Sequence, residues 1–195
     1  MDMPSAALCV AAASAALGCH SAPPRTEAAI EAVTLFPLYA EYFTCAEHYA
    51  GELPSIGDAL GSDCSIVNGG SSHRGEGTRN EDYYGWNKPV LTPFDGIVEA
   101  VYVNPVVNQP GTMGTSKSSG VTFVRADGVH ALYGHVQAIT VKPGDHVVAG
   151  QPFAVVGNNG YATGPHTHVG AWRDHTPLQI RWDLAAMATL RGKHN

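Results

Sequence analysis

Apolar and polar positions alternate through the second half of the chain. Val121-Thr122-Phe123 and Val129-His130-Ala131-Leu132-Tyr133 follow a period of two, the signature of half-buried strands. Ala126-Asp127-Gly128 lies between them with the residues of a tight turn, so the two runs predict a hairpin. On its second arm Val129, Ala131, Tyr133 and His135 share one face. Residues 89–103 predict two more strands about Asp95-Gly96, and residues 139–156 another hairpin around Pro143-Gly144-Asp145. Residues 104–119, rich in Gly, Ser, Thr and Asn, predict a long exposed loop. Only residues 179–190 suit a helix, a short one that closes the chain. The expected class is all-β, and the 22 glycines and 13 prolines supply the turns such a fold needs.

The first half reads differently. Residues 5–18 form an apolar run too short to span a bilayer, which fits the hydrophobic core of a secretory signal. Ala16-Leu17-Gly18-Cys19 resembles a bacterial lipoprotein cleavage box, in which Cys19 is lipidated and becomes the new N-terminus. Ala16 stands where such boxes prefer Leu, and Met1-Asp2-Met3-Pro4 carries no Lys or Arg. A small-residue helix packed on the domain is the alternative. Residues 20–34, with Pro23-Pro24, read as an extended tether. Leu35-Phe36-Pro37-Leu38, Tyr39, Tyr42 and Phe43 must bury against one side of the main domain. The expected division is a signal at 1–18, a tether and N-terminal extension at 19–64, and that main domain at 65–195. Cys45 and Cys64 are the only cysteines after the signal region, and in an exported chain such a pair is most simply a disulfide.

Composition removes several functions. A formal charge of -6 and no dense basic patch argue against nucleic acid as partner. No Gly-x-Ser-x-Gly elbow and no phosphate-cradling glycine loop occur. Of ten histidines, His20, His48, His146, His175 and His194 read as solvated or locally hydrogen-bonded.

The others centre on Gly164-Pro165-His166-Thr167-His168-Val169-Gly170. Histidines two apart on a strand share a face, so one can offer a nitrogen to a metal while the other stands beside it. The turn-rich Gly157-Asn158-Asn159-Gly160-Tyr161-Ala162-Thr163 would set that strand at the edge of a cleft. With Tyr133-Gly134-His135 and the segment Val141-Lys142-Pro143-Gly144-Asp145-His146-Val147-Val148-Ala149-Gly150-Gln151, this stretch resembles the lysostaphin/LytM-type zinc endopeptidases of bacterial cell walls. The resemblance covers roughly residues 70 to 175.

That resemblance implies a compact antiparallel β-sandwich with long loops around a groove. It implies Zn2+ held by three protein ligands with one position left open. His168, the second histidine of the pair, would be the first ligand; the others would be a His and an Asp from an earlier segment. The compact His-x-x-x-Asp is missing, because Gly77 stands four residues after His73. A longer form gives His73 and Asp82, with Glu76 and Glu81 as rivals to Asp82. His135 and His166 match the histidines the family uses beside the metal: His166 for the water and His135 for the developing oxyanion, or the reverse. Two imidazoles and one carboxylate leave such a site at about +1, which lowers the pKa of bound water to about 7.

The implied activity is zinc-dependent hydrolysis of peptide bonds in bacterial peptidoglycan, in stem-peptide cross-links or bridges, by a protein exported to the cell envelope. A catalytically silent envelope protein of the same fold that activates another wall hydrolase is the alternative. A biotinyl-type carrier, suggested by a faint echo between residues 92–98 and 142–148, lacks the methionines that flank its acceptor lysine.

Overall fold

A computed structural model describes residues 29–48, 55 and 57–192. The signal segment, Cys19, and the tether up to residue 28 lie outside the described residues, as do His20 and His194. In chain order the strands are β1 (Ala32–Leu35), β2 (Phe43–Glu47), β3 (Ser62–Ile66), β4 (Pro89–Leu91), β5 (Gly96–Tyr102), β6 (Gly120–Val124) and β7 (Val129–Gly134). They continue with β8 (Val136–Gln137), β9 (His146–Val147), β10 (Pro152–Val156), β11 (Thr167–Arg173), β12 (Thr176–Pro177) and β13 (Gln179–Trp182), and helix α1 (Leu184–Gly192) comes last.

The protein is all-β, with two antiparallel sheets at its centre. The larger runs β2-β3-β11-β7-β6-β5-β9, with β12 added on β11; the smaller runs β4-β10-β8. Their apolar faces meet through Phe123 of β6, Tyr133 of β7 and Phe153 of β10, all fully buried. The Phe123 and Phe153 rings meet edge to face, their centroids 4.9 Å apart. Burying each such side chain is worth about 1.5–3 kcal/mol, so this trio anchors the sandwich.

The expected β6–β7 hairpin forms, with Val124 opposite His130 and Gly128 at φ +81° in its turn. Residues 139–156 behave otherwise. β9 pairs with β5 and β10 with β4 and β8, so the two arms enter different sheets instead of pairing with each other. Residues 179–182 are strand where the sequence suggested helix, because they pair in parallel with β1. Helix starts only at Leu184, where Asp183 accepts hydrogen bonds from the amides of Ala185 and Ala186.

The extension is part of the fold. Leu35, Leu38 and Tyr39 are buried, and Phe43 packs edge-on between Tyr39 and Trp182. β2 and β3 form one flank of the larger sheet, so the division expected after residue 64 falls inside β3. Cys45 and Cys64, directly opposite across this pair, are joined as a disulfide.

Candidate metal centre

Three neighbouring strands bring the site together. β11 lies between β3 and β7, which places His168 opposite Asp63 on one side and Gly134 on the other. Along β3 burial alternates, with Ser62, Cys64 and Ile66 inside, so Asp63 projects to the open face. His48 comes directly after the end of β2, three residues beyond the cysteine that ties this strand to β3. His135 sits where β7 gives way to β8, with φ +59°, a left-handed conformation uncommon for a residue with a Cβ. Asn159 holds that kink. Its side-chain amide donates to the carbonyls of His135 and Val136, and its own carbonyl accepts from Nδ1 of His135 at 2.7 Å.

Asp63, His48 and His168 converge. Nδ1 of His168 is 3.0 Å from Oδ1 of Asp63 and 3.2 Å from Nε2 of His48, and that Nε2 is 3.5 Å from the same carboxylate oxygen. Two ligands each 2.0–2.1 Å from a tetrahedral zinc stand roughly 3.3 Å apart, so the three atoms already have the spacing of one face of a zinc tetrahedron. Nε2 of His168 is held by Asp58 at 2.8 Å, which leaves Nδ1 to face the other two donors. His166 lies on the same face: its ring is 4.5 Å from that of His135, and its buried Nε2, 3.4 Å from Asp63, has no hydrogen-bond partner. An orphaned nitrogen beside three crowded donors is what a cation site presents without its ion. The donor set of two imidazoles and one carboxylate therefore fits zinc.

The charges agree with the geometry. Burial alone would raise the Asp63 carboxyl, but contacts with His166 and His168 outweigh it and hold the group well below the usual carboxylate range. Burial would lower His168, yet Asp58 and Asp63 push it up to about 9. His135 is brought down to about 4, chiefly by burial and then by the nearby His166.

His73 and Asp82 are not brought to His168. Among the described residues, the grouping of His, Cys, Asp or Glu that could hold an ion is His48, Asp63 and His168. Residues 71–83 close on themselves. His73 is bridged to Tyr83, with Nδ1 3.1 Å from the Gly75 carbonyl. Both carboxylate oxygens of Asp82 are taken by Arg79, one by its backbone amide and one by its guanidinium. Glu76 and Glu81 are exposed. Sequence pattern alone passes over His48 and Asp63. The signal for them is the cysteine pair: an Asp directly before one half-cystine and a His three residues after the other.

The site opens into a groove of about 720 Å³ lined by His48, Asp58, Asp63, His135 and His168 at one part. Val101, Tyr102, Met113, Lys117, Leu132 and Tyr161 are among the residues that line the rest. The loop expected at 104–119 supplies two of these, Met113 and Lys117.

Two solved structures share this fold, the first two of the three that follow. A zinc-containing peptidase from Vibrio cholerae is 20% identical with a TM-score of 0.50, and the match covers 81% of this chain but only 40% of that one. A complex of SpoIIIAH and SpoIIQ matches at 17% identity and TM-score 0.50, over 74% of this chain and 95% of that one. The catalytic domain of lysostaphin, an antimicrobial peptidase from Staphylococcus simulans, is 21% identical at TM-score 0.44, over 67% and 80% of the two chains. No curated protein sequence matches. Residues 78–180 match the model of Peptidase family M23, a span that holds His135, His166 and His168 but neither His48 nor Asp63. More than half of the sequence lies in that match, and the chain belongs to Peptidase family M23.

Proposed function

We propose that this protein is a zinc-dependent endopeptidase that hydrolyses peptide bonds in bacterial peptidoglycan, in stem-peptide cross-links or bridges. The observation that carries the reading is the zinc-like spacing of His48, Asp63 and His168 at one end of an open groove, with two further histidines alongside. When bound, zinc supplies a Lewis acid for the scissile carbonyl and acidifies water. His48 Nε2, Asp63 Oδ1 and His168 Nδ1 would hold it, and Asp58 would keep the His168 ring turned the right way.

His135 and His166 handle protons. Nδ1 of His135 must carry hydrogen to meet the Asn159 carbonyl, and burial holds the ring neutral, so its Nε2 is a proton acceptor. The Nδ1 of His166 meets the Gly164 carbonyl at 2.9 Å in the same way, so both rings turn Nε2 to the site. One of them receives the proton of water and the other faces the developing oxyanion, with the His166 Nε2 beside the Asp63 carboxylate. The Cys45–Cys64 disulfide supports an exported protein, and Cys19 is proposed as its lipidated membrane anchor in the cell envelope.

The test is purified protein with cross-linked muropeptides, with and without a chelator. We expect about one zinc per chain and hydrolysis that stops on chelation and returns with zinc. His135→Ala and His166→Ala should each retain zinc and lose about 10²–10⁴ in turnover. A zinc-loaded wild type that binds peptidoglycan peptides without cleaving them would overturn the enzymatic reading.

A further inference from the structure

The groove has an apolar wall and a single lysine beside it. Val101, Tyr102, Met113, Leu132 and Tyr161 line it, three of them with more than two-fifths of their surface exposed: Tyr102, Met113 and Tyr161. Lys117 is the one Lys or Arg among the lining residues. Its ammonium group lies 4.6 Å from the centre of the Tyr102 ring. The other described lysines are spent on carboxylates, Lys88 on Glu41 and Lys142 on Asp145. Lys117 makes no ion pair among the described residues, in a chain whose formal charge is -6. An amine held against an aromatic face at the edge of an apolar wall is attracted by the ring's quadrupole and fixed in place there.

From this the geometry points to Lys117 as a specificity-determining residue that reads a substrate carboxylate, with Tyr102 as its platform. The substrate class is a stem peptide with a free carboxylate and small apolar side chains, in preference to an oligoglycine bridge. Oligoglycine has no side chain to cover Leu132, Met113 or Tyr161 and no charge for Lys117, and glycine loses the most conformational freedom on being ordered. A groove of about 720 Å³ is in the size range of sites that enclose a short peptide. The assignment rests on the peptidase reading for its biological substrate, but binding alone can test it.

Zinc-loaded wild type, Lys117→Met and Lys117→Arg are titrated calorimetrically with three non-cleavable ligands. These are an uncross-linked stem tetrapeptide with free carboxylates, the same peptide fully amidated, and pentaglycine. Wild type should bind the acid form roughly fivefold more tightly than the amide, the scale of one part-exposed ion pair. Lys117→Met should remove that difference without changing zinc content, and Lys117→Arg should keep it. Equal wild-type affinity for acid and amide would overturn the assignment. So would a Lys117→Met that weakens both equally, or pentaglycine binding more tightly than the stem peptide. On cleavable cross-linked dimers, Lys117→Met should raise KM for the acid form alone and leave kcat in place. A carboxylate preference that depends on Lys117, in a zinc-loaded protein that cleaves nothing, would sink the peptidase reading and leave this subsite standing.

Discussion

His168 has a carboxylate on each of its nitrogens, Asp58 on Nε2 and Asp63 on Nδ1, and only one of these contacts can survive ion binding unchanged. The Nδ1 contact is the one replaced, because Asp63 and His48 face the same point. Replacing His48, Asp63 or His168 with Ala should therefore abolish zinc binding and hydrolysis together. His73→Ala and Asp82→Ala should leave zinc content near one per chain, and zinc lost from either would put the ligands on the 71–83 loop. In chelator-treated protein the same contacts set the titrations: NMR should show His168 titrating near 9 and His135 near 4. The signs are opposite. A raised His168 stabilises the metal-free fold below its unfolded value of 6.5, and that contribution fades as pH rises towards about 9. A depressed His135 leaves the fold losing stability as pH falls from 6.5 towards about 4. Ordinary titration of both near 6.5 would contradict these environments.

Strand pairing decides which of these groups can be read from sequence. The β6–β7 hairpin is legible because its partners are adjacent and its turn is local. His135, His166 and His168 are legible as well, since each sits on or beside a recognisable strand and a family motif. β9 and β10 look like partners in sequence, yet each finds its own neighbour elsewhere, a choice local pattern does not encode. The same holds for residues 179–182, where pairing with β1 overrides helix and leaves Asp183 to cap the start of α1. Asp58 and Asp63 depend on longer-range fits again. Gly170 of β11 lets the turn at residues 57–60 cross directly over the strand, since a Cβ there would fall on the Gly57 carbonyl. Gly170→Ala should displace that turn, free His168 from Asp58 and weaken zinc affinity about 10–100-fold, the usual cost of losing an outer partner. Isothermal titration with zinc measures it, and unchanged affinity would deny Asp58 its orienting role. Asn159→Ala is the complement. It should release the His135 kink and lower turnover while zinc titrates as in wild type.

The molecule as a whole is tied at the flank where two of its proposed ligands sit. The Cys45–Cys64 disulfide closes a loop with a sequence separation of 19, worth about 3 kcal/mol in the chain-entropy model. Cys45→Ser with Cys64→Ser should lower the denaturation midpoint accordingly, and a midpoint unmoved in urea would show that β2 and β3 hold together without it. The bond also has a meaning beyond stability. It joins β2, which leads into His48, to β3, which carries Asp63, so closing it aligns two ligands before any metal arrives. A newly made chain with its thiols still reduced would hold those ligands on an unfastened edge and compete poorly for zinc. On the proposed reading, oxidation acts as a safety catch that withholds zinc binding until the chain has reached an oxidising compartment.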